Sequence, residues 1–117
     1  MATGTIKKHG IQYDTLFPET TKNDKNAITL SASADDYDFI LFVVCNQNAG
    51  TGGYRQVKII PSTEYGKSVA VTWSATDSTG WYMLICATVI GNQITFQEWT
   101  RRGYSGSAIK IVGAKII

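Results

Sequence analysis

The residues best suited to chemistry in this chain are flat rings set beside cations. Between Trp99 and Ser105 the run WTRRGYS places an indole, the guanidiniums of Arg101 and Arg102, and the phenol of Tyr104 within seven residues. Tyr54 opens a strand-like run after a glycine-rich stretch. Rings at strand ends can stack on sugar faces, and guanidiniums grip anionic groups in a bidentate fashion. Trp99, Arg101, Arg102, Tyr104 and Tyr54 are therefore the candidate ligand-binding residues, and an anionic glycopolymer is the ligand they suit. The same residues admit a plainer reading, with Trp99 in the core and the arginines simply solvated. Trp73 and Trp81 read as core or sandwich-edge residues.

Catalysis has little to work with, and no catalytic residue, metal ligand or cofactor is expected. The one histidine, His9, sits in a basic N-terminal stretch. No cysteine or histidine pair has zinc spacing. Asp35, Asp36 and Asp38 lack the loop length, glycine and distal glutamate of an EF-hand, and read as a solvated turn. Glu64 and Glu98 qualify as a carboxylate pair only by elimination. Gly66-Lys67-Ser68 resembles the end of a phosphate-binding loop. However, Pro61 occupies the position of the required upstream glycine, and a strand pattern, VAVTW, follows instead of a helix. Gly50, Gly52 and Gly53 lack the strand–helix frame of a dinucleotide site. Cys45 and Cys86 both lie in strongly apolar runs and read as buried thiols, with a disulfide left open. An antibody-like frame would need tyrosine where Leu84 stands.

These residues must be positioned by strands. At 117 residues the chain makes one domain, large enough for one real core. A net charge of +2 argues against a nucleic-acid partner, which normally needs a clustered basic face. No run approaches the roughly 20 apolar residues of a membrane helix, so membrane insertion is not expected. The opening MATGTIKKHG has no apolar core of a signal peptide.

No segment reads as a helix. Strand patterns occupy Gly4–His9, Ala27–Ser31, Tyr37–Cys45, Tyr54–Ile60, Ser68–Trp73, Trp81–Ile90, Gln93–Arg102 and Ile109–Ile117. Ile11–Lys25, interrupted by Pro18, reads as a surface loop. Gly91-Asn92 is the turn of a late hairpin. The apolar parity shifts from Ile94 and Phe96 to Trp99, which predicts a bulge near Gln97-Glu98. The expectation is a single all-β domain: an antiparallel, jelly-roll-like β-sandwich of seven to eight strands. Residues 1–26 would form an N-terminal strand and surface loop packed on a sandwich of residues 27–117.

Two strands are apolar on both faces: Tyr37–Cys45 (Phe39, Leu41 and Val43 against Ile40, Phe42 and Val44) and Trp81–Ile90. A sandwich strand needs only one such face. One sheet is therefore expected to have a second buried side, covered either by the Ile11–Lys25 loop or by another subunit. The chain closes on SAIKIVGAKII, Ser107 to Ile117, as a final strand, an ending that suits the tip of a longer assembly.

Several of these pieces together resemble a known group. ITLSASADDYDFILFVV, the glycine-rich loop after it, WYMLICATVIGNQITFQEW and the closing IKIVGAKI are similar to the C-terminal domains of tailed-bacteriophage tail-fibre, baseplate receptor-binding and minor structural proteins. The resemblance covers Ile28 to Ile117, through loose motifs, and leaves the opening ATGTIKKHGIQYDTLFPE unmatched. It implies a non-enzymatic virion module, made in the bacterial cytoplasm, that forms a homotrimer, contacts other virion proteins and binds a bacterial cell-surface glycan. The long N-terminal shaft usual in fibre proteins has no counterpart. Two rival functions stand beside this one. The first is a purely structural decoration or tail-assembly protein without glycan affinity, and the second is a cellular carbohydrate-binding module.

Overall fold

A computed structural model of the protein describes residues 10–48, 52–72, 82–102 and 106–117. Among these residues eight strands form two four-stranded antiparallel sheets that face one another as a β-sandwich, as the strand pattern predicts. In chain order they are β1 (Ile11–Thr21), β2 (Ile28–Thr29), β3 (Phe39–Asn48), β4 (Gly52–Pro61), β5 (Val69–Ala70), β6 (Tyr82–Ile90), β7 (Gln93–Arg102) and β8 (Gly106–Ile116). Sheet I has the order β1-β8-β3-β4, and sheet II the order β2-β7-β6-β5. The expected strand at Gly4–His9 lies outside the described residues.

Alternation along β3 builds the core. Ile40, Phe42 and Val44 point between the sheets and are fully buried, beside Ile109 and Ile111 of β8 and Ile60 of β4. Sheet II answers with Met83, Ile85 and Val89 of β6, and Ile94 and Phe96 of β7. The rings of Phe42 and Phe96 meet edge to face across the gap, with centroids 6.2 Å apart. At about 25 cal/mol per Å² of apolar surface buried, this layer is the main favourable term in folding.

Ile11–Thr21 is not a loop but the edge strand β1, paired to β8 along its whole length. Proline argued against a strand because it breaks a ladder. An edge strand escapes that penalty when the proline stands at a bulge, and the register slips between Phe17 and Thr20, across Pro18 and Glu19. A second slip, between Thr15 and Phe17, turns Leu16 into the core, where it is buried.

The bulge expected in the late hairpin is present. Cys86 faces Glu98 and Ala87 faces Phe96, so Gln97 is the extra residue. Without it Phe96 and Trp99 would point to opposite sides of the sheet; with it both face inward. The hairpin turns at Gly91, whose φ of 59° suits glycine. The carbonyls of that turn accept from Ala34 and Leu30, which ties it to the segment before β3.

Cys45 and Cys86 are free thiols, one in each sheet. The two strands with two apolar faces also belong to different sheets, so they do not share a second face. Pairing partners, not single strands, decide what becomes of each outer side.

Candidate functional site

One end of the sandwich gathers most of the polar side chains that reach its interior. β7 ends at Arg102, close in the chain to the start of β8, where Ser107 pairs with Asn46 of β3. β1 ends at the same place: the Lys22 amide donates to the Ser107 carbonyl (2.9 Å). Asn23 then acts as a clamp. Its Oδ1 accepts from Arg101 (2.6 Å), from the Ser107 amide (3.0 Å) and from the Ser107 hydroxyl (2.8 Å), and that hydroxyl also contacts the Lys22 carbonyl.

Lys22 is only 9% exposed. Its ammonium donates to Asp24 (2.8 Å) and to the Asn26 carbonyl (2.6 Å). It also lies 4.9 Å from the Phe96 ring centre and 5.5 Å from that of Trp99. A cation kept from water needs such partners, and the rings add to them through cation–π attraction. The hydrogen bond from Lys22, with a second from the Asn26 backbone, holds the Asp24 carboxyl below the usual aspartate range.

The five sequence candidates separate here. Trp99 faces the core side of β7, half-buried, with its ring edge-on to Phe96 at 5.2 Å and Lys22 near its face. Arg101 and Arg102 are exposed at the end of β7, and one Arg101 nitrogen is committed to Asn23. Tyr54 stands opposite Asn46 in the β3–β4 ladder, with its side chain outside the described set. Tyr104, Trp73 and Trp81 lie outside the described residues.

Sequence reasoning passed over Lys22, Asn23, Asn46 and Gln56. Asn46 continues the inward row of Ile40, Phe42 and Val44, which was a readable signal for a buried amide. Asn46 Oδ1, Gln56 Oε1 and Trp99 Nε1 are buried polar atoms without a hydrogen-bond partner. Each such atom costs about 1–3 kcal/mol. Asn46 lies opposite Ser107, Gln56 near the middle of β4, and Trp99 three residues before the end of β7.

A second surface is the outer face of sheet I. Phe39, Leu41 and Val43 of β3 point outward between Val57 and Ile59 of β4 and, on β8, Ala114, Val112 and Lys110, the last beside Val43. Val57 and Ile59 are 52% and 56% exposed, and Tyr13 of β1 extends the row. No loop crosses this face among the described residues, because the segment expected to cover it is β1 itself. A charged margin borders it: Glu19 reaches over to accept from Arg55 (2.8 Å) and from the Cys45 thiol (3.5 Å). The Arg55 bond, with the Cys45 bond second, lowers the Glu19 pKa. Burial, aided by Glu19, pushes the Cys45 thiol up, so the reactive thiolate is disfavoured. The outer face of sheet II is mixed: Leu84 and Ile90 are exposed on it, beside polar bonds from Ser68 and Thr88 to Gln97 and from Gln97 to Thr95.

The carboxylates singled out as a pair are engaged separately: Glu64 lies 3.8 Å from Lys67, and Glu98 accepts from Thr100. Among the described residues no group of three or more His, Cys, Asp or Glu side chains is placed to hold a metal ion. No protein-family model matches the chain, and no curated protein is similar enough to count as a relative.

Proposed function

We propose that the protein is a non-catalytic structural and adhesion module of a bacteriophage virion, of the tail-fibre or baseplate kind. In this reading it seats on protein neighbours through the outer face of sheet I, and it meets an anionic host-surface saccharide at the Arg101–Arg102 end. The observation that carries the reading is the apolar outer face. Antiparallel sandwiches usually turn such a side to water with polar residues, as Ser68, Thr88, Thr95 and Gln97 do on part of sheet II. A contiguous apolar patch on a sheet is a surface for a partner. The saccharide half is supported by two exposed guanidiniums on a strand end, that of Arg101 held by Asn23.

One observation favours a purely structural virion role instead. Trp99 packs inward against Phe96 and Lys22, so its ring is less free to serve as a stacking platform. An array of anionic bacterial glycans, probed with the wild type and with an Arg101→Ala/Arg102→Ala variant, separates the two. Adhesion predicts binding that weakens with salt and falls at least tenfold in the folded variant. No binding by the folded wild type leaves the structural role alone.

A further inference from the structure

We propose that β4 pairs, antiparallel and edge to edge, with β4 of a second copy, which joins two copies of sheet I into one continuous eight-stranded sheet. Sheet edges carry unpaired backbone groups, and proteins normally blunt them. Among the described residues, three of the four edges are blunted. β2 and β5 have two residues each, and β1 carries Pro18 and two register slips. β4 is the exception: ten residues long, with unbroken register to β3 from Gly52 to Pro61, and with no strand on its other side among the described residues.

The direction of its backbone groups follows from one bond. The Ser62 amide donates to the Asp38 carbonyl (3.0 Å), so that pair is hydrogen-bonded. Antiparallel ladders alternate bonded and non-bonded pairs. Ile60, Lys58 and Gln56 therefore bond to β3, and Ile59, Val57 and Arg55 send their N–H and C=O groups away from it. The same three residues place their side chains on the apolar outer face.

The second copy is the fitting occupant because this edge is complementary to itself about Val57. With Val57 on a two-fold axis, Val57 faces the partner's Val57, and Arg55 faces the partner's Ile59. Lys58 then lies opposite the partner's Gln56, and Gly53 opposite the partner's Pro61. No like charges face each other directly, a juxtaposition that would disfavour pairing. Arg55 is already paired with its own Glu19. Pro61, which has no N–H, falls at the end of the ladder, where its loss costs least. The arrangement is a two-fold dimer, distinct from the three-fold ring that the fibre resemblance implies, and it does not rest on saccharide binding.

Light scattering after size exclusion should give twice the 12.8 kDa chain mass for the wild type. It should give a single-chain mass for Val57→Lys, which sets two ammoniums against each other on the axis; circular dichroism checks that the variant folds. In a Cys45→Ser/Cys86→Ala background, Val57→Cys should form an intermolecular disulfide on mild oxidation, since paired Cα atoms on the axis stand about 5.5 Å apart. Ile59→Cys should not, because its partner is Arg55. A monomeric wild type, a trimer in which Val57→Cys fails to cross-link, or equal cross-linking at positions 57 and 59 would overturn the pairing. Each of those outcomes leaves the glycan-array result independent.

Discussion

Gly113 offers a quantitative test of how tightly one end of the sandwich is packed. It lies in β8 between Asp14 of β1 and Ile40 of β3, and the Tyr37 ring covers it. A Cβ added there would stand 2.7 Å from two atoms of that ring and 2.9 Å from Leu16 Cδ1. Ordinary contact begins near 3.4 Å, so the ring must retreat by about 0.7 Å. It is poorly placed to do so. Its hydroxyl donates to Asp14 (2.8 Å), its amide donates to the Ala34 carbonyl (3.0 Å), and Leu16 is itself buried. Overpacking of this kind costs about 1–3 kcal/mol. Two terms run the other way: alanine loses about 0.4–1 kcal/mol less backbone entropy on folding, and the backbone at Gly113 is not in the left-handed region. The net expectation for Gly113→Ala is a loss of about 1–2 kcal/mol. Urea unfolding should show a lower midpoint with an unchanged slope. The cause is isolated by repeating the substitution in a Tyr37→Ala background. Without the ring the cost should shrink by at least about 1 kcal/mol, a coupling of the size seen between touching residues. A Gly113→Ala protein as stable as the wild type, or an equal loss in both backgrounds, would refute the packing account.

Two further outcomes are expected. Burial raises the Tyr65 pKa from its usual 10 to about 12, with smaller contributions from Asp35 and Asp38. Its folded pKa thus exceeds the unfolded one, so the stability it confers is present below about pH 10 and is lost as pH climbs from there through 12. Absorbance titration near 295 nm should show a late-ionising tyrosine that Tyr65→Phe removes, and that variant should lose part of the alkaline fall in melting temperature; an unchanged titration would contradict the assignment. Trp99→Phe deletes the unpartnered indole N–H while keeping a ring against Phe96. Its stability should stay within about 1 kcal/mol of wild type, against a loss of about 3–5 for Trp99→Ala. A larger loss on Trp99→Phe, measured by urea unfolding, would mean that the N–H is bonded after all.

Much of the framework was legible before any coordinates. Runs apolar on both faces marked β3 and β6, period-two alternation marked β4, Gly91-Asn92 marked the hairpin turn, and the parity shift after Phe96 marked the bulge at Gln97. These are local signals, written in neighbouring residues. β1 was misread because Pro18 is a breaker everywhere except where a strand lies at an edge and bulges, and edge position is a tertiary property. The polar end was hidden for a related reason. Lys22, Asn46 and Ser107 are far apart in the chain, and only the return of β8 between β1 and β3 brings their strand ends together.

The sequence by itself determined an all-β chain with one inward row per strand, since side-chain direction alternates with backbone geometry alone. It also determined that β3 would be apolar on both sides. Which strands lie beside it was settled by pairing. Residues separated by more than 60 positions, such as Leu41 and Val112, share the outer face of sheet I. Only those pairings gathered the apolar residues of that face, and among the described residues only they left β4 as the long unprotected edge. The physical reason is that hydrogen bonding between strands is nearly indifferent to side-chain identity. The partners are chosen by the collective burial of a core that no single segment contains.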